Sequence, residues 1–112
     1  MDDFSINSEH NGNVTVVAIS GRVDSVTAAT LDAELGKIVY ENNKLVLELK
    51  DVVYLSSAGV RAIIRALQSA QKSEGGVKLA CIPDLVKDVL ENVGVMEVLQ
   101  SYPSVDEAVT SF

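Results

Sequence analysis

The stretch Tyr54-Leu55-Ser56-Ser57-Ala58-Gly59-Val60 joins a predicted strand to a predicted helix, and the fold is organised around it. Upstream, residues 44–50 (KLVLELK) are apolar enough for a buried strand. Downstream, apolar residues recur at the spacings of three, four and seven that mark one face of a helix: Val60, Ile63, Ile64, Leu67 and Ala70. The serine pair therefore lies beside free backbone N–H groups at the positive end of a helix dipole, where an anionic group is favoured.

Before this junction, the sequence predicts two strands and a helix. Residues 4–10 and 14–19 are strand-like, and the turn signal Asn11-Gly12-Asn13 between them predicts an antiparallel hairpin. A helix follows, with Asp24, Ser25 or Thr27 as its N-cap. Its apolar positions are Ala28, Leu31, Leu35 and Ile38.

After the junction, the helix that begins at Ser57 is predicted to end near residues 74–76, before a strand at 77–82. Pro83 suits the first turn of another helix, which Gly94 ends. A short edge strand is predicted at 95–99, and Ser104 and Glu107 have capping-box spacing at the start of a last helix.

Two strand–helix–strand units in series favour parallel pairing. We therefore predict an α/β fold, a small mixed β-sheet with helices packed mainly on one face, forming one domain over residues 1–112.

The composition excludes several classes of function. The net charge of −7 leaves no basic stripe to displace counterions from nucleic acid, and it disfavours anionic membranes.

No apolar run approaches the roughly 18–20 residues that span a bilayer, and Met1-Asp2-Asp3-Phe4 lacks the features of a secretory signal. A cytoplasmic protein is expected. Cys81 is the only cysteine, which excludes an internal disulfide, and we expect it to be a small buried side chain.

No catalytic arrangement is recognisable. His10 is the only histidine and lies beside a predicted turn, so neither a Ser-His-Asp nor a Cys-His arrangement has a suitably placed base. The acidic residues lack metal-ligand spacing, and no phosphate-binding loop is present. We predict a protein that is not an enzyme and needs no cofactor or metal.

The serine pair has two compatible interpretations. One serine can simply cap the helix, and on the residues alone this is the simpler explanation. A phosphate on a serine here would find free N–H donors, and Arg61 lies one helical turn further on. Arg65 and Lys72 continue on the same side, forming either a basic edge for a partner or an ordinary solvated face.

Several segments resemble the bacterial anti-sigma factor antagonists, which are stand-alone STAS domains. Residues 53–60 (VYLSSAGV) resemble the family signature, an apolar pair followed by Asp-Ser-Ser/Thr/Ala-Gly-Leu. Residues 21–28 (GRVDSVTA) resemble its earlier Gly-Glu-Leu-Asp…Thr-Ala segment. Residues 93–95 and 105–108 match later features in the same order, so that the resemblance covers about residues 4–112.

The resemblance implies a mixed sheet flanked by helices and a function in regulating sigma-factor-dependent transcription. Family members bind an anti-sigma factor that is also a serine kinase of the GHKL ATPase type, and thereby free the sigma factor. The kinase inactivates them by phosphorylating a serine, here Ser57, and a serine phosphatase reverses this. Asp24 matches a family acid near that serine. The partner-binding residues implied are Asp24, Ser56, Ser57, Ala58, Gly59 and Arg61.

The chain departs from the signature at Ser56, where the family has Asp, so one charge beside the acceptor is missing. This departure mildly favours an alternative function. Some STAS domains are structural subunits of larger complexes, such as lipid-transport ATPases, and need no phosphorylation.

Overall fold

The computed structural model describes residues 3–112, in which five strands form one mixed sheet in the order β1-β2-β3-β4-β5. β1 is antiparallel to β2, and β2, β3, β4 and β5 run parallel to one another. The predicted mixed α/β sheet and its opening hairpin are confirmed. The strands are β1 (Ser5–Asn11), β2 (Val14–Val23), β3 (Lys44–Leu55), β4 (Gly76–Ala80) and β5 (Ser101–Tyr102).

Within residues 3–112, four α-helices and one 3₁₀ turn cover the sheet: α1 (Ser25–Glu41), α2 (Ser57–Lys72), α3 (Asp84–Asn92), the turn Val95–Glu97 and α4 (Val105–Thr110). Because side chains alternate along a strand, Leu45 and Leu47 join the large core under α1, α2 and α3, whereas Val46 joins a smaller cluster with Ala108 of α4. Central β3 is thus buried on both faces, which explains its continuous apolar run. The prediction that helices lie mainly on one face is confirmed.

β2 and β3 are longer than the sequence predicts. β2 continues to Val23 and β3 to Leu55, through irregularities in their register between Ala18 and Ser20 and between Gly21 and Arg22. Gly21 has φ +86°, and a side chain there would collide with the backbone of Asp3. The two strands end side by side, because Val23 pairs with Leu55.

The prediction of a strand at 95–99 is wrong. Gly94, at φ +77°, turns the chain after α3 into the 3₁₀ turn, and Leu99 enters the core with 2% of its surface exposed. Val95 and Met96 are half-buried and Val98 is exposed, so Leu99 is the residue of this segment that enters the core, and the edge strand is β5.

Three smaller differences lie near β4. Cys81 has φ +57°, a left-handed backbone conformation, so β4 ends at Ala80 instead of continuing to residue 82. Cys81 is half-buried and is not the fully buried strand residue that the sequence predicts. Pro83 is the N-cap of α3 and not part of its first turn. α2 ends at Lys72, slightly earlier than predicted.

No helix within residues 3–112 is long and apolar enough to cross a membrane. Met1 and Asp2, the start of the segment judged to lack a secretory signal, lie outside the described residues.

Candidate functional site at the carboxyl edge of the sheet

Two helices begin next to each other at the carboxyl edge of the sheet. β2 leads through Asp24 into α1, and β3 leads through Ser56 into α2. The backbone N–H of Ser56 donates a hydrogen bond of 2.8 Å to the carbonyl of Val23. This bond ties the two strand–helix junctions together and places both helix N-termini at one edge.

Ser56 is the serine that caps α2. Its hydroxyl accepts a hydrogen bond from the Gly59 N–H at 3.2 Å, and its carbonyl accepts one from Val60 at 3.0 Å. Ser57 is the first residue of α2 and is exposed, and its hydroxyl makes no hydrogen bond to any other residue of 3–112. The cap and the candidate acceptor are therefore different residues, a distinction that the sequence left open.

Asp24 is the cap of α1, which settles the choice among three predicted residues. Its carboxylate accepts hydrogen bonds from the backbone N–H groups of Val26 at 3.0 Å and Thr27 at 2.9 Å. In return, the Thr27 hydroxyl accepts from the Asp24 N–H at 2.9 Å. The Thr27 backbone hydrogen bond is the main cause that lowers the pKa of Asp24, and the nearby charge of Arg22 contributes. Asp24 is therefore a fixed negative charge at this edge.

Gly59 lets α2 pack directly on the ends of both strands. A Cβ atom built there would lie 2.7 Å from Leu55 Cδ1 and 2.7 Å from Val23 Cγ1, closer than real Cβ contacts. Gly59 is buried, so it faces the core, and the neighbouring Ala58 is half-buried. The structure thus gives Gly59 a packing role, while contact of Ala58 and Gly59 with a partner stays a prediction.

The three cations of the predicted basic strip, Arg61, Arg65 and Lys72, differ in whether they form ion pairs. Arg61 is exposed and has no carboxylate within ion-pair distance among residues 3–112. Arg65 reaches across to α1 and forms an ion pair of 3.2 Å with Asp32. Lys72 is exposed in the last turn of α2. Of the two arginines, only Arg61 is available to a new anion without breaking a pair.

Arg22 lies at the same edge of the sheet, and the sequence pattern alone does not indicate this position. It pairs with Tyr54 across β2 and β3, and its guanidinium lies 4.5 Å from the centre of the Tyr54 ring. The pairing of Arg22 with Tyr54 could be predicted only from the register of β2 and β3, and this register depends on the irregularities between the two strands.

The arrangement offers an exposed hydroxyl at a helix N-terminus, a fixed carboxylate and an exposed guanidinium. Residues 3–112 hold no group of three or more His, Cys, Asp or Glu side chains that could bind a metal. His10 lies on β1 opposite Thr15 near the start of β2, at the other end of the sheet from Ser57. If Ser57 is modified, a partner must supply the chemistry.

Comparison with known proteins gives a consistent result. The model of the STAS domain family matches residues 5–108. The anti-sigma-F factor antagonist RsfB of Mycobacterium tuberculosis is 39% identical over 57 residues, which are 50% of this chain. That match spans 46% of RsfB, about half the length of this relative.

Solved structures resemble the whole fold. An anti-sigma factor antagonist from Mycobacterium paratuberculosis superposes with a TM-score of 0.89 at 27% identity, covering 98% of this chain and 94% of that one. The anti-sigma factor antagonist SpoIIAA in its unphosphorylated form gives 0.81 at 14% identity, covering 96% and 95%. The phosphorylated form of SpoIIAA from Bacillus gives 0.73 at 13% identity, covering 96% and 98%. At that identity, the likeness to SpoIIAA concerns the fold alone.

Proposed function

The chain belongs to the STAS domain family, and on that premise we propose that it is an anti-sigma factor antagonist, which binds an anti-sigma factor and so promotes sigma-factor-dependent transcription. The anti-sigma factor in this proposal is also a GHKL-type serine kinase that switches the antagonist off by phosphorylating Ser57, and a serine phosphatase restores it. The relatives named anti-sigma factor antagonist support the binding function. The exposed Ser57 hydroxyl at the start of α2, free of any capping bond within residues 3–112, carries the proposal for the switch.

The fold should tolerate a phosphate on Ser57. The phosphate adds roughly −1.5 to −2 charges at the positive end of the α2 dipole, where such charge is favourable. Ser56 already supplies the cap, so modification of Ser57 removes no hydrogen bond that the helix needs. The switch therefore acts on the surface and leaves the interior unchanged.

The same phosphate should oppose binding of the partner. Arg61 can compensate at most one of the negative charges, and a phosphate that is buried in an interface with part of its charge unmatched costs several kcal/mol. Because about 1.4 kcal/mol corresponds to tenfold in affinity, a cost of about 3 kcal/mol weakens binding more than a hundredfold. The ionised Asp24 already places one negative charge at the same edge, and the phosphate would add to it. No conformational change is required.

Ser56 keeps the capping role that the signature Asp can also perform, since both residue types are good N-caps. The geometry of the acceptor is therefore retained, and only a charge is lost. This loss is the observation that favours the second candidate, an unmodified structural subunit of a larger complex such as a lipid-transport ATPase.

The test begins with identification by mass spectrometry of the protein that the chain captures from its source cells. The purified partner is then incubated with the chain, ATP and Mg²⁺. We expect the partner to be an ATP-binding kinase and one phosphoryl group to appear on Ser57. Ser57→Ala should abolish this gain, and Ser69→Ala, an exposed serine later in α2, should preserve it. A chain that stays unmodified while bound to a transport ATPase would overturn the switch and support the structural subunit.

A further inference from the structure

A groove of about 270 Å³ runs between α1 and α2, next to the candidate acceptor. Small side chains form part of its lining: buried Ala28 and exposed Ala29 of α1, and half-buried Ala58 of α2. Ser25, Asp32, Arg61 and Arg65 complete the lining. The two helices thus leave room for an incoming side chain beside charged groups.

The charges of the groove oppose those of the molecule. The whole chain carries −7, yet the groove holds two arginines and one aspartate. Asp32 is already paired with Arg65, whereas Arg61 has no carboxylate partner within residues 3–112. The Arg65–Asp32 pair is largely exposed, so it holds Arg65 only weakly. The groove therefore presents one uncompensated guanidinium, which suits a carboxylate.

An exposed apolar side chain lies beside the groove. Val26 is 76% exposed and lies three residues before Ala29, so the two are neighbours on the surface of α1. A segment seated in the groove can cover this valine. The surface thus combines a cation with an apolar contact.

We propose that this groove binds an acidic segment of the protein partner, with a carboxylate of that segment on Arg61 and an adjacent apolar side chain on Val26. The inference rests on the proposed function for the identity of the partner, and on the groove itself for the chemistry. Arginine suits this role because its planar guanidinium can hold a carboxylate through two parallel hydrogen bonds.

The groove also links binding to modification. Ser57 and Arg61 are four residues apart on α2, so their side chains are neighbours on the helix surface. A phosphate on Ser57 competes with the partner's carboxylate for Arg61. Modification then removes an attractive contact as well as adding a repulsive one.

The test uses the full chain labelled with ¹⁵N and two synthetic probes, Ac-Glu-Leu-Leu-Glu-amide and its neutral counterpart Ac-Gln-Leu-Leu-Gln-amide. In an NMR titration, we expect the acidic peptide to shift the amide signals of Ala28, Ala29 and Ala58 and the side-chain signal of Arg61. The neutral peptide should bind about tenfold more weakly, because it lacks the charge-assisted hydrogen bonds. Equal binding of both peptides, no binding, or shifts located elsewhere would overturn the proposal.

Two matched variants distinguish binding at the groove from a general effect of net charge on peptide affinity. Arg61→Glu should reduce the affinity for the acidic peptide about tenfold or more, while Lys87→Glu, the same charge change at an exposed position of α3, should leave it nearly unchanged. Ser57→Asp should weaken binding severalfold and Ser57→Asn should not. Undiminished binding by Arg61→Glu would refute the groove, and equal binding by Ser57→Asp and Ser57→Asn would refute the competition.

This titration involves no kinase, so its result is independent of the phosphorylation assay. If the peptide does not bind the groove, the proposed phosphorylation of Ser57 is unaffected. If Ser57 is not phosphorylated, a measured binding of the peptide to the groove remains valid.

Discussion

Ser56 and Ser57 are chemically identical neighbours with different environments. The hydroxyl of Ser56 is directed at the N–H of Gly59, and the hydroxyl of Ser57 is exposed at the first position of α2. The Ser56 hydroxyl caps the helix, and the Ser57 hydroxyl is exposed to solvent and is the one we propose is modified. The division follows from the geometry of a helix N-terminus, in which the N-cap side chain reaches the N–H two or three residues on.

This division predicts different costs for removing each hydroxyl. Ser56→Ala should lower the free energy of unfolding by about 1 kcal/mol, because α2 loses its cap. Ser57→Ala should remain within about 0.5 kcal/mol of the unmodified chain. Urea denaturation of both variants measures the difference. A larger loss for Ser57→Ala would show that the roles of the two serines are reversed.

The lowered pKa of Asp24 implies that the stability of the fold depends on pH. Its pKa in the folded chain is lowered from an ordinary value of 3.8, mainly by the Thr27 backbone hydrogen bond. A lowered folded-state pKa means that the carboxylate stabilises the fold fully above the ordinary pKa, and that this contribution is lost as the pH falls through the folded-state value.

Asp24→Asn keeps a capping oxygen but cannot titrate. The unmodified chain should therefore be more stable than Asp24→Asn at pH 7, and this advantage should shrink towards pH 3. Urea denaturation at both pH values measures it. An advantage that is constant or grows towards pH 3 would contradict the assignment.

At the scale of elements, the site depends on how closely α2 approaches the ends of β2 and β3. The Ser56–Val23 hydrogen bond fixes one strand–helix junction to the other. Gly59 has no side chain, so α2 can lie directly against the ends of β2 and β3. Ser57, the proposed acceptor, is therefore positioned by the backbone hydrogen bond at Ser56 and by close helix–strand packing at Gly59.

Two glycines within helices provide a matched test of this packing. Gly59→Ala should destabilise the fold by about 1–3 kcal/mol, because the new methyl group meets Leu55 and Val23 at 2.7 Å. Gly36→Ala, in α1 with open space around it, should instead stabilise by about 0.5–1 kcal/mol. Thermal or urea denaturation gives both values. Stabilisation by Gly59→Ala would show that the close approach is not needed.

At the scale of the whole molecule, local signals predicted most of the fold. The turn at Asn11-Gly12, the helical spacing from Val60 to Ala70 and the cap at Ser104 each act within a few residues, and all three elements are present. The strand–helix alternation then gave the mixed sheet. The position of Ser57 at the start of a helix was predicted in the same way.

The features that the sequence could not predict depend on distant residues. The true ends of β2 and β3 follow from their mutual register, with its bulges. The 3₁₀ turn at Val95–Glu97 forms because Leu99 finds space in the core, which local periodicity does not report. The Arg65–Asp32 pair joins two helices, so that Arg61 is the α2 arginine without a carboxylate partner among residues 3–112.

A phosphate on Ser57 should block the partner while the fold persists. Isothermal titration calorimetry of the purified partner against the unmodified chain and the Ser57-phosphorylated chain, with an amide NMR spectrum of each, measures both properties. We expect the phosphorylated chain to stay folded and to bind at least about a hundredfold more weakly. Equal affinity of the two forms, or loss of the folded spectrum on phosphorylation, would contradict the account.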